Sequence, residues 1–239
     1  LVSVSKPDFD PNTVEADWDA LANDSGSSSL LNRATQGAYP PGSIFKVIMS
    51  LAYYREHGTI DDFYYNCTGS ITEDDHTIPC FDYEVHGEED FTKAFAESCN
   101  TAFVQMGLDL GTKPIQEAAE SLLFNKNLPI ELSYRKSTMD LQESNGVRFL
   151  MQSSIGQGTT LVSPMHMAMI TSAIANDGVL MKPYYVDHVE SVDGKTVETT
   201  KTSEYKQLMS QEEAALLKNL MTQVVNTGTG TKLSGESYS

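Results

Sequence analysis

The chain has 239 residues, with 33 acidic side chains against 16 basic ones, a formal net charge of −17 and 40% hydrophobic residues. This length can bury a substantial core and fits one large domain or two small ones. The hydrophobic content is that of a folded protein and argues against intrinsic disorder. The negative charge argues against nucleic acid as a partner, because it would repel a phosphate backbone and no basic stripe is present.

No run of about 18 consecutive apolar residues occurs, so the sequence predicts no segment that spans a bilayer. Residue 1 is leucine rather than methionine. We therefore expect membrane attachment only through an anchor that lies outside these residues.

The first predicted element is a strand over Leu1 to Ser5, where apolar residues alternate until Pro7. Residues 5 to 29 are rich in Asp, Asn, Ser, Pro and Gly and predict irregular structure. Ser43 to Glu56 predicts a helix that is apolar on all sides, as in a helix buried within a domain, and Gly58 ends it.

The remaining chain alternates an irregular insert with helices. Residues 61 to 90 lack helical periodicity and predict an insert with one hairpin. Helices are predicted at 91–97, 101–108 and 114–124, and from Ser163-Pro164 to near Gly178. A hairpin is predicted between 184 and 198. Ser210 and Glu213 form a capping box at the start of the last helix.

Ser43 and Lys46 are the first candidate catalytic pair. Three residues are close to one helical turn, so both side chains are predicted on one face, with the ammonium group able to reach the hydroxyl. Lys46 is the only charged residue between Ser43 and Tyr54. Burial would lower its pKa and let the amine accept a proton, which activates a serine nucleophile. Taken alone, Ser-x-x-Lys also fits an ordinary N-cap serine beside a lysine that reaches solvent.

Ser98-Cys99-Asn100 is the second candidate element, at the junction of two predicted helices. A serine and an asparagine two residues apart on a turn can face the same cleft. The hydroxyl would then relay a proton, and the amide would hold a substrate carbonyl or the lysine. Both residue types are also common in helix-connecting turns, so this motif is informative only together with the first.

Further motifs follow in a fixed order along the chain: Asn32 to Ala34, Tyr39 to Val47, Ser98 to Phe103, Ile155 to Gly158, Ser163-Pro164 and Ala175 to Gly178. This order resembles the transpeptidase domain of penicillin-binding proteins, from about residue 1 to residue 239. The chain looks like the class B type, because the class A pattern usually has proline after the motif lysine, where Val47 stands here.

The resemblance implies an α+β fold of the serine β-lactamase and D,D-peptidase type. Ser43 would attack the D-Ala-D-Ala amide of a peptidoglycan stem peptide, and Lys46 would take its proton. Ser98 and Asn100 would complete the proton relay and bind the donor. No cofactor is required, and β-lactams would acylate the same serine. The full-length enzyme would be anchored at the extracytoplasmic face of the bacterial cell membrane.

The third family motif, Lys-Thr-Gly, should closely follow Gly228 to Thr231 but does not occur before Ser239. Its strand normally supplies one amide of the oxyanion hole, a donor worth about 3 kcal/mol. We therefore expect residues 1–239 to be a truncated transpeptidase domain, helix-rich because the chain stops before the later strands. Such a fragment would be inactive or would pair with another chain through exposed strand edges.

Two other functions on the same fold stay open. A β-lactamase needs a general base for deacylation, and the class A pattern has Glu with Asn four residues on. Glu131 has Arg135 at that spacing, which disfavours hydrolysis. A β-lactam sensor is acylated as well, so the sequence separates it poorly from an enzyme.

Cys67, Cys80, His86 and Cys99 lie between or within the first two motifs. Three thiolates and an imidazole are a tetrahedral zinc set, and some class B enzymes that this chain resembles bind a metal at similar places. Such a structural zinc would brace the turn around Cys99. A disulfide between Cys67 and Cys80, with Cys99 packed as a small hydrophobic residue, is an equally open alternative, and three free thiols are a third.

The other histidines receive simpler predictions. His76 is an alternative to His86 as the fourth zinc ligand. Three are predicted to be surface or helix-face residues: His57, His166 and His188.

Overall fold

The structure is a computed structural model and describes residues 3–235. Its helices are α1 Val14–Asn23, α2 Lys46–His57, α3 Phe91–Ala96, α4 Asn100–Leu110, α5 Thr112–Ser121, α6 Val147–Ser154, α7 Pro164–Ala175 and α8 Gln211–Asn226. Short 3₁₀ turns cover Gly42–Phe45, Phe81–Tyr83, Glu143–Asn145 and Thr231–Leu233. Among residues 3–235, no helix combines the length and apolar content needed to cross a membrane.

Between residues 3 and 235, the short strands form four antiparallel pairs. Their bounds are β1 Tyr64–Cys67, β2 Ser70–Glu73, β3 His76–Pro79, β4 Gly87–Asp90, β5 Val179–Met181, β6 His188–Glu190, β7 Thr196–Thr199 and β8 Glu204–Gln207. β1 pairs with β4, β2 with β3, β5 with β8, and β6 with β7. The described chain is therefore helix-rich with small sheets, an α+β architecture.

Helix α2 runs through the centre of the core. Its first eight residues, from Lys46 to Tyr53, are all buried. The helix packs against α4, α5 and α8, so its surroundings are apolar on every side. The predicted buried helix is therefore confirmed, and Gly58 ends it in the left-handed conformation at φ 74°.

Two signals at other helix ends are also confirmed. The Ser163 side chain caps α7 by accepting from the backbone amide of His166, and Pro164 is the first helical residue. Ser210 and Glu213 form the reciprocal capping box at the start of α8. α7 and α8 pack together and form one wall of the cleft described below.

Two parts of the secondary-structure prediction were wrong. Residues 5 to 29 contain α1, which buries no residue and so lacks an apolar periodic signal. Its alanines, with Glu15 and Asp17 in the first turn, favour a helix locally despite the turn-forming residues nearby. Residues 3–5 form no strand, and Leu1 and Val2 lie outside the described residues.

The insert over residues 61 to 90 is more ordered than predicted. The β2–β3 hairpin lies inside a loop closed by the β1–β4 pair, with register Cys67 opposite Gly87 and Ser70 opposite Pro79. β1, β2 and β3 pack against α4. This arrangement brings the insert against the helix that carries the second motif.

Candidate active site

Ser43 lies in the 3₁₀ turn that leads directly into α2, and its side chain is exposed. The turn is held by Gly156, whose carbonyl oxygen accepts from the amide of Gly42 at 2.8 Å. A Cβ atom on Gly156 would lie 2.2 Å from the Gly42 carbonyl oxygen. The backbones of Gly42 and Gly156 lie so close together that only glycine fits at residue 156. This contact positions the turn that carries the candidate nucleophile.

Lys46 is the first residue of α2, and its side chain is buried with 1% exposure. Its Nζ atom donates to the Ser98 carbonyl oxygen at 2.6 Å, to Ser98 Oγ at 2.9 Å and to Asn100 Oδ1 at 2.9 Å. The same nitrogen lies 5.4 Å from the centre of the Phe103 ring. Three oxygen atoms of the second motif therefore fix the amine of the first.

Burial lowers the pKa of Lys46 from 10.5 to about 8, because removal from water disfavours the ammonium form. Electrostatic interactions with Cys99, Cys80 and Glu89 oppose this shift. The amine is therefore available as a proton acceptor near neutral pH, as the sequence predicted from its apolar helix.

The turn that carries Ser98, Cys99 and Asn100 joins α3 to α4. Ser98 has a φ of 58°, in the left-handed region that is uncommon for residues other than glycine, and both its carbonyl and hydroxyl oxygens contact Lys46. Cys99 caps α4 by accepting from the amide of Ala102 at 3.4 Å. Asn100 is the first residue of this helix.

Three of the four candidate residues, Ser43, Lys46 and Ser98, line a cleft of about 320 Å³, and Asn100 contacts this group through Lys46. The apolar lining comes mainly from Phe95, Val47, Met167, Ile170, Met221 and Val224. The structure thus brings the four predicted residues into one region. It differs from the sequence prediction in one contact, because the Lys46 amine is bound to Ser98 and Asn100 and has no hydrogen bond to Ser43.

Two further residues, Pro79 and Glu89, contribute to the surroundings of Lys46 and Asn100 and were not predicted from the sequence. The Pro79 carbonyl oxygen accepts from Asn100 Nδ2 at 3.0 Å, and a backbone carbonyl leaves no signal in a sequence. Glu89 is buried with 1% exposure, and burial raises the pKa of its carboxyl group. In the acidic run Glu88 to Asp90, nothing distinguishes it from its solvated neighbours.

The cysteine and histidine side chains converge beside this turn. The sulfur atoms of Cys67 and Cys80 are 3.7 Å apart, those of Cys80 and Cys99 are 3.8 Å apart, and Cys67 Sγ lies 3.3 Å from His86 Nδ1. All four donor atoms lie within 4.8 Å of one another. The three thiols are free and buried, and His76 is not part of this group among the described residues.

This donor set fits a tetrahedral metal site. With Zn–S bonds of about 2.3 Å, two thiolates of a tetrahedron are about 3.8 Å apart, close to the observed separations. His86 would bind through Nδ1, since its Nε2 lies 3.7 Å from the carboxylate of Glu84. The contact between Cys80 and Cys99 lowers the pKa of the first thiol and raises that of the second, so it favours the thiolate that a metal requires only at Cys80.

The prediction for His166 was wrong. His166 lies on α7 but is buried with 1% exposure. Its Nδ1 lies 2.7 Å from Ser137 Oγ, and its Nε2 lies 2.7 Å from the Leu122 carbonyl oxygen. Burial lowers the pKa of this imidazole to about 4, so it is a neutral structural residue at physiological pH.

Comparison with known sequences gives a match along the whole chain. The family profile described as "Penicillin binding protein transpeptidase domain" matches residues 1–239. Peptidoglycan D,D-transpeptidase PbpA of Mycolicibacterium smegmatis is 33% identical over 234 residues, which cover 92% of this chain and 47% of the relative. Stage V sporulation protein D of Bacillus subtilis is 28% identical over 250 residues, covering 98% and 35%. The chain thus spans about half, or less, of the length of these curated relatives.

Solved structures match the fold over nearly all of this chain. The D,D-transpeptidase domain of a peptidoglycan glycosyltransferase from Eggerthella lenta has a TM-score of 0.90 at 26% identity, covering 98% of this chain and 60% of that chain. The imipenem acyl-enzyme complex of penicillin-binding protein A from M. tuberculosis has a TM-score of 0.84 at 28% identity, covering 95% and 54%. These similarities confirm the predicted α+β fold class.

Proposed function

The chain belongs to the penicillin-binding-protein transpeptidase family, and on this premise we propose that it is the acyl-transfer region of a class B peptidoglycan D,D-transpeptidase. The observation that carries the proposal is the buried amine of Lys46. It is bound to Ser98 and Asn100 and shares one cleft with the hydroxyl of Ser43.

In the proposed reaction, Ser43 Oγ attacks the carbonyl carbon of the penultimate D-Ala of a stem peptide. The hydroxyl proton passes to the amine of Lys46, directly or through the hydroxyl of Ser98. The amide C–N bond then breaks, the terminal D-Ala leaves with a proton, and an ester joins Ser43 to the donor peptide. An amine from a neighbouring strand then attacks this ester and forms the cross-link, the ester C–O bond breaks, and one proton of the attacking amine passes through Lys46 to Ser43 Oγ.

The partners proposed for this chain are peptidoglycan stem peptides and β-lactams. A β-lactam carries a strained amide in place of the D-Ala-D-Ala bond and would leave a stable ester on Ser43. Support comes from penicillin-binding protein A, which was solved as an imipenem acyl-enzyme complex. We place the reaction at the extracytoplasmic face of the bacterial cell membrane. That the full-length protein is membrane-anchored, and that residues 1–239 are one domain without the third motif, remain predictions.

The test is the intact mass of the full-length protein, which includes the third motif, after incubation with benzylpenicillin. We expect one stable adduct, which is lost in Ser43→Ala and kept in Ser203→Ala, a matched change at an exposed serine outside the cleft. Rapid turnover of the penicillin would instead indicate a β-lactamase. Absence of an adduct on folded protein would contradict the proposed acyl transfer.

We also propose that Cys67, Cys80, His86 and Cys99 bind a structural Zn²⁺. The spacing of their donor atoms supports this site. A metal would account for all three thiols and the imidazole, whereas a disulfide would use only two of the three thiols. The metal would supply a rigid link between the insert and the start of α4, and no step of the proposed reaction passes through it.

Elemental analysis of protein purified under reducing conditions tests this metal site. We expect one zinc per chain, lost in His86→Gln and kept in His76→Gln, a control on the β2–β3 hairpin. Protein purified without reductant that holds no zinc, and whose mass is lower by two hydrogens until a reductant is added, would instead indicate the Cys67–Cys80 disulfide.

A further inference from the structure

The side-chain amide of Asn100 bridges two parts of the fold. Its Oδ1 accepts from Lys46 Nζ at 2.9 Å, while its Nδ2 donates to the carbonyl oxygen of Pro79 at 3.0 Å. Only the NH₂ end of an amide can face a carbonyl oxygen, so the Pro79 carbonyl selects one of the two orientations of this amide. In the other orientation, NH₂ would face the donor Nζ atom, and Lys46 would lose an acceptor.

The direction of the Pro79 carbonyl is itself determined by its neighbours on both sides. Pro79 ends β3 and is paired with Ser70 across the hairpin. The next residue, Cys80, is buried, and its amide donates to the Gly69 carbonyl oxygen at 2.9 Å. The Cys80 amide lies in the same peptide plane as the Pro79 carbonyl, so its hydrogen bond to Gly69, together with the φ that the pyrrolidine ring restricts, leaves this carbonyl little freedom to turn away from Asn100.

From these contacts we infer that Pro79 is a positioning residue of the acyl-transfer site, which acts through the amide of Asn100 on the amine of Lys46. The inference rests on the proposed function. It adds that the β2–β3 hairpin helps to orient the acyl-transfer site. The root of the hairpin orients the second motif, whereas its tip at Asp74 and Asp75 is exposed. The acceptor is a backbone carbonyl, which any residue would supply. Proline therefore contributes through its restricted backbone conformation and not through the chemistry of its side chain.

Replacement of Pro79 by glycine tests the inference, because it keeps the carbonyl and frees φ. The matched control is Asp75→Gly at the tip of the same hairpin, where φ is already 63° and glycine is tolerated. We expect the acylation rate constant with a fluorescent penicillin to fall about tenfold in Pro79→Gly, the effect of weakening one hydrogen bond. Asp75→Gly should stay within about twofold of the wild-type chain.

A second measurement follows the amide itself. In ¹⁵N-labelled protein, the side-chain NH₂ signals of Asn100 should exchange slowly with water, and this protection should be lost in Pro79→Gly but kept in Asp75→Gly. If glycine prevents folding, Pro79→Ala, which allows a narrower range of φ, should show a smaller loss of protection and of acylation rate.

Wild-type acylation together with unchanged Asn100 protection in Pro79→Gly would overturn the inference. An equal fall in both hairpin variants would do so too, since it would indicate a general loss of stability. If the wild-type chain forms no penicillin adduct, the proposed acyl transfer fails, and the exchange measurement still decides whether Pro79 orients Asn100.

Discussion

The amine nitrogen of Lys46 lies 2.9 Å from the hydroxyl oxygen of Ser98, although the two residues are 52 positions apart in the chain. The carbonyl oxygen of the same serine lies 2.6 Å from this nitrogen. The left-handed backbone of Ser98, with φ at 58°, allows both oxygens to face one amine. A single turn residue thus links the proposed base to the second motif.

The first prediction concerns the pH dependence of acylation. The pKa of Lys46 is lowered to about 8, and only the unprotonated amine can accept the proton of Ser43. We therefore expect the acylation rate constant to rise with pH and to reach its half-maximal value near pH 8. Stopped-flow measurement with a fluorescent penicillin between pH 6 and 10 gives this profile.

The variant Lys46→Arg tests the same pH profile from the other side, by removing the titrating amine. Lys46→Arg keeps a positive charge that cannot be removed in this range, so acylation should fall at least about 100-fold at every pH. Lys113→Arg, at an exposed lysine, should leave the profile unchanged. A half-maximal pH near 10.5, the ordinary value for lysine, would contradict the role assigned to burial.

The second prediction concerns Gly156, whose backbone supports the turn of Ser43. Gly156 has a φ of 69°, and an added Cβ atom would lie 2.2 Å from the Gly42 carbonyl oxygen. Gly156→Ala should therefore lower both the free energy of unfolding and the acylation rate. The steric overlap alone should cost about 1–3 kcal/mol, measured by urea denaturation.

Gly194→Ala is the control for this change. Gly194 has a similar φ of 77°, but nothing lies within 4 Å of its added Cβ atom. Both variants carry the cost of a side chain in the left-handed region, of roughly 1 kcal/mol. The difference between them therefore reports the overlap with Gly42, and equal losses of stability would argue against it.

The third prediction concerns stability in mild acid. The folded protein holds His166 neutral with a pKa of about 4, whereas the unfolded chain protonates it near its ordinary pKa of 6.5. The unfolded state therefore binds more protons between these two values, and the free energy of unfolding should fall as pH is lowered from 6.5 to 4. The contribution of this one residue is of the order of 3 kcal/mol.

Urea denaturation of His166→Gln at several pH values checks this assignment. The glutamine does not titrate, so the variant should be less stable at pH 7 but should lose less further stability on acidification. His188→Gln, at an exposed histidine, should retain the wild-type loss. An unchanged pH dependence in His166→Gln would show that other groups cause the acid sensitivity.

The fourth prediction concerns the buried carboxyl group of Glu89. Neither of its oxygens makes a hydrogen bond with the described residues, and the nearby Cys99 thiol is only a weak donor. Burial raises its pKa, so the carboxylate destabilises the fold at pH values above the ordinary pKa of glutamate. Glu89→Gln should raise the free energy of unfolding at pH 8 by about 1 kcal/mol.

Glu88→Gln is the matched control, since Glu88 is the preceding residue on the same strand and is exposed. Its effect on the free energy of unfolding should be within about 0.5 kcal/mol. Destabilisation by Glu89→Gln in metal-loaded protein would show that the carboxylate has a partner in the folded state and would contradict the prediction.

The helices that surround the cleft could be predicted because their signals are local. α2 was recognisable from a continuous apolar segment ended by Gly58, and α7 and α8 from their capping residues. α1 was missed because it buries nothing, so no apolar period marks it. His166 was misassigned because its burial depends on the packing of α7 against distant segments at Leu122 and Ser137.

By itself, the sequence determined which chemical groups are present and which of them share a helix face. The spacing of Ser43 and Lys46 within one turn, and the absence of any other charge near them, already predicted a buried amine beside a hydroxyl. That prediction follows from covalent connectivity and helical periodicity, which are local. The family was predicted in a different way, from the resemblance of the ordered motifs to those of penicillin-binding proteins.

Only the tertiary structure decided which partners these groups meet. In the folded chain, Lys46 contacts Ser98 and Asn100 rather than Ser43. The amide of Asn100 donates to the Pro79 carbonyl oxygen, and the sulfur atoms of three cysteines lie together. Such contacts join residues that are far apart along the chain. Their geometry depends on how the insert packs on α4, and neither residue type nor spacing encodes that packing.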